Sequence, residues 1–433
     1  MEPQPRFAIL ISVLPIIFHL FRGSRNCSSL KMHLEIPDEN RYIGRKPDIQ
    51  NPTKKQERKE VLDLPGRWDI VKNVRQKGKK VAAVFPIHYP RELLQAHGIH
   101  PVEIFGPPGW PTQTADRHFQ SYTCAIVRRG FSFLHEKVLS HVDLVVVPHS
   151  CDALQGMASV LMDFTENGKP VLTFYLPRSR RKEDEAFLVN ELRRFFQALT
   201  PISGRIPEEA ELKKAIRLNQ HVFGILEKLW EEHVLTGWSN LEFFRLLRAR
   251  EYLPAEDFLR YADTAPSHFR RIRPKGRILL SGIVPEPMDL LHLLDELGLL
   301  VVADDLACSS RRVYRNSDLV SDAFPCLAQC LMAGPPDPTR GDPIKQRFFH
   351  LVKLAQKHRA GGILFFLPKF CEPELFDIPL LTKMLQDEGL ATLVLESELE
   401  SSLSQQMVTR LEAFAELVAD RTEHLLKFKE TPA

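Results

Sequence analysis

Two stretches, Leu144-Val-Val-Val-Pro-His-Ser-Cys-Asp152 and Leu364-Phe-Phe-Leu-Pro-Lys-Phe-Cys-Glu372, repeat one pattern in distant parts of the chain. Each is an apolar run closed by proline, then a basic residue, one spacer, a cysteine and an acid. A run this short and uninterrupted reads as a strand buried on both faces, as in a parallel sheet. Proline closes it because it has no N–H for the next ladder bond. The cysteine then falls just past the carboxyl end of a strand, where open α/β sheets bind ligands. Two lobes, each presenting a thiol at such an edge, predict a shared site in the cleft between them.

Working outward, residues 61–181 read as a first α/β lobe, with strands expected at 81–86, 102–106, 144–147 and 171–176. Between them, residues 90–98 form a helix with proline in its first turn and Gly98 as its stop. The breaker-rich run 107–111 is a loop, and a further helix surrounds Cys124 and Phe131. Residues 182–275 turn wholly helical, with 3.6-residue periodicity over 210–230, and form a connector. Residues 276–433 make a second lobe with strands at 277–283, 301–305, 362–367 and 392–395. Its last helix is expected to start at a capping box, Thr409-Arg-Leu-Glu412. Strands alternating with helices at these lengths mean parallel βαβ units. The expected fold is α/β, two lobes with parallel four-stranded sheets plus a helical segment.

Residues 1–60 are an amino-terminal extension or arm. Its apolar stretch 7–21 is shorter than the ~20 residues needed to span a bilayer, and Pro15 and His19 interrupt it. It resembles a signal-peptide core but lacks a small-x-small cleavage site. A chain begun at Met32 is expected to fold without it. Of the 433 residues, 44% are hydrophobic and 26% charged, an ordinary globular balance. A net charge of +3 is too weak to propose nucleic acid as a partner. Seven cysteines without a dense framework point to reduced thiols in the cytoplasm and to no disulfide scaffold.

Cys124, Cys151 and Cys371 are the residues able to carry chemistry. Taken singly, packing is the ordinary reading of each, since free cysteine is among the most buried residue types. The repeated context argues for more. His149 and Lys369, two residues before their cysteines, are expected to favour thiolate. No C-x-x-C pair signals structural zinc. Single cysteines from distant loops suit an iron–sulfur cluster, and three thiolates leave one iron open, as a catalytic metal requires.

Further motifs accompany them: Ser121-Tyr-Thr-Cys124, Cys151-Asp-Ala-Leu154, Lys369-Phe-Cys-Glu-Pro-Glu-Leu-Phe-Asp377, Thr409-Arg-Leu-Glu-Ala-Phe414, residues 90–98 and Asp304-Asp-Leu-Ala-Cys-Ser-Ser-Arg311. From about residue 81 onward the chain thereby resembles the 2-hydroxyacyl-CoA dehydratase / benzoyl-CoA reductase family, in its D-component or iron–sulfur subunit. The resemblance implies a [4Fe-4S] cluster held by Cys124, Cys151 and Cys371 between two flavodoxin-like lobes. It implies an acyl-CoA thioester substrate, a homologous second subunit (heterodimer or homodimer) and an ATP-hydrolysing iron–sulfur activator that delivers one electron. In the dehydratases the reduced thioester is a ketyl radical that expels its hydroxyl group; in the reductases an aromatic thioester is reduced; a further branch carries a double-cubane cluster.

The expected function is therefore the iron–sulfur subunit of a 2-hydroxyacyl-CoA dehydratase in the cytoplasm of an anaerobic system, off the membrane. The alternatives are a subunit of the benzoyl-CoA-reductase or double-cubane type, a subunit that only supports its catalytic partner, and, from another class, a bilobal solute-binding protein. His88 and Glu103, near strand ends of the first lobe, are the expected catalytic groups for moving protons or holding substrate, with Glu92 behind them. Cys308, at the end of a strand, is a candidate to line the cleft or act as a ligand, with a packing or supporting role favoured, and Cys326 and Cys330 are expected to lie in the core. The basic run Arg178-Ser-Arg-Arg-Lys182 is a candidate for coenzyme A phosphates. No Walker or Rossmann fingerprint predicts ATP or nicotinamide binding here.

Overall fold

The computed structural model describes residues 64–164, 168–314 and 322–427. The predicted arm at 1–60 lies outside them. In the first lobe β1 (Lys80–Val84), β2 (Ile99–Glu103), β3 (Leu144–Pro148) and β4 (Val171–Phe174) form a parallel sheet ordered β2-β1-β3-β4. In the second, β5 (Gly276–Gly282), β6 (Leu299–Leu306), β7 (Gly362–Pro368) and β8 (Ala391–Ser397) repeat that order as β6-β5-β7-β8. The winding reverses between the first and third strands of each lobe, which opens a crevice at their carboxyl ends. β3 and β7 are the third strands, and every residue of both is buried. Their apolar runs are uninterrupted because neither face meets water.

Around the first sheet lie α1 (Arg67–Gln76), α2 (Arg91–Ala96), α3 (Ala125–Phe133) and α4 (Asp152–Phe164). The connector supplies α5 (Lys182–Ser203), α6 (Glu209–Thr236), α7 (Asn240–Ala249) and α8 (Ala255–Thr264). The second lobe adds α9 (Asp289–Leu297), α10 (Ala323–Ala333), α11 (Ile344–His358), α12 (Glu372–Asp387) and α13 (Gln405–Lys427). α6 packs on α2 of one lobe and β6 of the other, so the connector ties the lobes together. Gly282 is required where β5 meets β7. Its φ is 148°, and a Cβ there would stand 2.0 Å from the Phe366 carbonyl oxygen. Among the described residues no helix is long and apolar enough to cross a membrane.

Several boundaries differ from expectation, two of them for a plain physical reason. β2 starts at Ile99 and contains Pro101, where the sequence pattern placed its start beyond that proline. β2 is an edge strand paired only with β1, so the missing N–H costs no ladder bond. α13 starts at Gln405, which puts Thr409 and Glu412 inside the helix. The cap is Ser404, whose Oγ accepts from the Met407 N–H at 3.3 Å.

His233 on α6 is buried, with Nε2 3.0 Å from the Val301 carbonyl oxygen. Burial lowers its pKa from 6.5 to about 3. Between those values the unfolded chain binds a proton that the folded chain refuses. Stability therefore falls as pH falls through the window, by at most ~1.4 kcal/mol per pH unit for this group. In denaturant unfolding across pH 4 to 7, His233→Gln is predicted to be less stable near neutrality, with a pH slope shallower by about one proton.

Candidate metal centre

The three cysteines occupy equivalent local positions. Cys124 is the N-cap of α3, Cys151 directly precedes α4 after β3, and Cys371 is the N-cap of α12 after β7. The amino end of a helix carries unpaired N–H groups and the positive pole of its dipole, both of which favour sulfur as thiolate. Backbone N–H groups of Ile126 and Val127 bind the Cys124 sulfur, and those of Ala153 and Leu154 bind the Cys151 sulfur.

Backbone geometry brings the lobes' thiols together. The Ala125 N–H donates to the Lys369 carbonyl at 3.1 Å, and the Cys371 N–H closes a turn onto the Pro368 carbonyl at 3.1 Å. Phe370 in that turn adopts φ 61°, a left-handed conformation costing of order 1–3 kcal/mol in a non-glycine residue. The Cys124 and Cys371 side chains consequently share a hydrogen bond. All three cysteines line one cavity of about 400 Å³, with Phe119, Tyr122 and Phe376 among its other walls. Tyr122 and Phe376 are exposed at its rim.

The hydrogen bond with Cys371 draws the Cys124 thiol below its ordinary range despite burial. The same bond, with burial, pushes Cys371 well up, and burial pushes Cys151 up to about 12. The bond to Cys124 and burial favour the protonated thiol at Cys371, and burial does so at Cys151. A ligand that takes all three as thiolates must bring positive charge, as iron does. Among the described residues no group of three or more His, Cys, Asp or Glu side chains is arranged to hold a single metal ion. The candidate donors at this cavity are the three cysteine sulfurs.

The flanking basic residues do not serve the thiols as expected. Lys369 Nζ pairs with Glu398 at 2.8 Å, and the His149 ring packs edge-on to Tyr175 at 4.3 Å. His88 and Glu103 do not line the cysteine cavity. His88 is buried with Nε2 3.1 Å from Asp337, and burial lowers its pKa. Glu103 is buried between Arg248 and Arg312. Glu92 is buried too, and burial raises its pKa. Cys308 is buried away from the cavity, while Cys326 and Cys330 are buried on α10, as expected of core residues. Of the basic run, only Arg178 lines the cavity; Arg180 pairs with Asp342 and Arg181 with Asp184.

Sequence reasoning missed an ion network behind Cys371. Arg311 binds Asp305 at 2.9 Å, Glu374 at 2.6 Å and Asp337 at 3.3 Å, and Arg347 binds Glu374 at 2.6 Å. All five side chains are at most 1% exposed. Despite burial, Arg311 and Arg347 hold the Asp305 carboxyl below the usual carboxylate range. Glu374 stands in the first turn of α12, so the network fixes the helix that carries Cys371. The only hint in the sequence is the acidic pair Asp304-Asp305 ending an apolar run.

A family model described as 2-hydroxyglutaryl-CoA dehydratase, D-component, matches residues 86–418. The chain is 25% identical over 369 residues to the (R)-phenyllactyl-CoA dehydratase beta subunit of Clostridium sporogenes, spanning 83% of this chain and 96% of that protein. It is 24% identical to the beta subunit of the lactoyl-CoA dehydratase of Anaerotignum propionicum, over 79% of this chain and 93% of that one. It is also 24% identical to a subunit of the benzoyl-CoA reductase of Thauera aromatica, over 70% and 81%.

Glu374→Ala leaves two buried guanidinium groups short of a partner and is predicted to cost about 3–5 kcal/mol in urea unfolding. Glu372→Ala, on the exposed side of the same turn, should stay within about 0.5 kcal/mol of the parent.

Proposed function

Because the chain belongs to the 2-hydroxyglutaryl-CoA dehydratase D-component family, we propose that it is the iron–sulfur subunit of an acyl-CoA dehydratase. Membership carries a general role in acyl-CoA radical chemistry and an iron–sulfur cofactor, and it sets aside the solute-binding reading. The finer assignment is that Cys124, Cys151 and Cys371 hold a [4Fe-4S] cluster. The observation that supports it is the convergence of three thiols, each at a helix start, on one cavity. When bound, such a cluster supplies one-electron transfer and an iron without a protein thiolate, open to a thioester oxygen.

The protein's own residues do the rest. Helix starts at Cys124, Cys151 and Cys371 stabilise negative charge on sulfur. Phe119, Tyr122 and Phe376 give the cavity an aromatic wall and rim against which an acyl group packs. Arg178, exposed at the rim, is placed to meet a coenzyme A phosphate. His88 takes a positioning role in this reading, since it braces Asp337 and Asp337 braces Arg311, whereas Glu103 pairs with Arg248 and Arg312 away from the cysteine cavity. A homologous second subunit and an ATP-hydrolysing activator complete the proposed system. A second reading, a reductase of the benzoyl-CoA type, rests on the likeness to the Thauera aromatica benzoyl-CoA reductase.

The test compares Cys371→Ser with Cys326→Ser after anaerobic purification. Cys371→Ser should lose most bound iron and all thioester turnover with partner and activator present, while unfolding much like the parent. Cys326→Ser should keep both. Equal iron in the two variants counts against the ligand set. Arg178→Ala should keep its iron and bind the acyl-CoA about tenfold or more weakly.

A further inference from the structure

A second cavity, of about 130 Å³, opens at the end of α3 opposite Cys124, about 13 Å along the helix. None of its lining residues belongs to the cysteine cavity. Phe105, Phe133 and Met288 give it apolar walls, α1 begins at it, and α7 and the loop after β5 contribute Arg248 and Glu286.

Polar groups stand there unmet. Arg67 Nε and Nη2, the edge of a guanidinium that grips a carboxylate by two parallel bonds, are both buried without a hydrogen bond. That guanidinium lies over the rings of Tyr252 at 5.0 Å and Phe105 at 5.8 Å, with Glu103 as a distant counter-charge at 4.0 Å. Glu103 is already engaged by Arg248 and Arg312. Glu286 is 5% exposed; its Oε1 accepts from Arg248 Nε at 3.0 Å, and its Oε2 has no partner. Native folds rarely leave a buried donor fork and a buried acceptor open in one cavity unless something meets them. The charges also lean one way. Of the charged residues that line the cavity, Arg67, Arg245 and Arg248 stand against Glu103 and Glu286, so a ligand with one negative charge completes the set.

We propose that this cavity binds a small hydroxy acid with an apolar body. Its carboxylate sits on the Arg67 fork, its hydroxyl donates to Glu286 Oε2, and its body packs against Phe105, Phe133 and Met288. An ammonium in place of the hydroxyl brings a positive charge that the set does not need. The site stands apart from the three cysteines and holds whether or not they carry a cluster.

The experiment is isothermal titration calorimetry on the full chain, purified anaerobically. The probes are mandelate and 3-hydroxy-3-phenylpropanoate, with phenylacetate (no hydroxyl), benzyl alcohol (no carboxylate) and phenylglycine (ammonium for hydroxyl) beside them. Expected is saturable binding of at least one hydroxy acid, binding about tenfold or more weaker for phenylacetate, and none for benzyl alcohol. Arg67→Gln, a change at a side chain 27% exposed, should weaken the hydroxy acid at least about tenfold without lowering the unfolding midpoint. Glu286→Gln should weaken the hydroxy acid and leave phenylacetate unchanged. No saturable binding of either hydroxy acid, equal binding by the parent and Arg67→Gln, or tighter binding of phenylglycine than of mandelate overturns the proposal.

Discussion

One backbone hydrogen bond, from the Ala125 N–H to the Lys369 carbonyl, joins the start of α3 in the first lobe to the turn that ends β7 in the second. The rest of the candidate site depends on it. An open N–H in the first turn of a helix needs an acceptor, and here the acceptor belongs to the other lobe. The bond seats Cys124 beside Cys371, and the repeated winding of the two sheets brings Cys151 to the same cavity. Sheet topology alone delivers two strand ends to a cleft; this contact turns a cleft into three thiols in reach of one another.

Holding that arrangement has costs. Phe370 keeps a left-handed backbone, and Arg311, Arg347, Asp305, Asp337 and Glu374 are charged groups taken out of water. A buried ion network seldom adds net stability over apolar packing, but losing one member is expensive because the others stay charged and unpaired. Its value here is positional. Arg311 links the end of β6, the 337–342 turn and the first turn of α12, and so restrains the helix start that presents Cys371. His88 extends the chain of contacts to the first lobe through Asp337.

Much of the fold is legible in the sequence, for a local reason. β3 and β7 are buried on both faces, so their apolar runs, closed by Pro148 and Pro368, cannot be mistaken for exposed alternation. The start of β2 reads late because Pro101 looks like a breaker unless the strand is known to lie at an edge. The start of α13 reads late too, because Thr409 and Glu412 satisfy the capping pattern equally well inside a helix. The paired thiols show themselves by repetition. What surrounds them does not: Arg347 and Glu374 look like ordinary surface charges until tertiary packing buries them. The directions of His149 and Lys369 beyond their turns are likewise set by Tyr175 and Glu398, not by their spacing from cysteine.

The central claim is that three helix-start cysteines from two lobes form one multinuclear iron site. It is tested most directly by anomalous scattering at the iron edge from crystals grown anaerobically. The account predicts iron density in the cavity bounded by Cys124, Cys151 and Cys371, with sulfur from each bound to a different iron and one iron free of protein thiolate. Iron bound instead at Cys308, Cys326 or Cys330, or a cavity without iron in crystals of iron-containing protein, would contradict it.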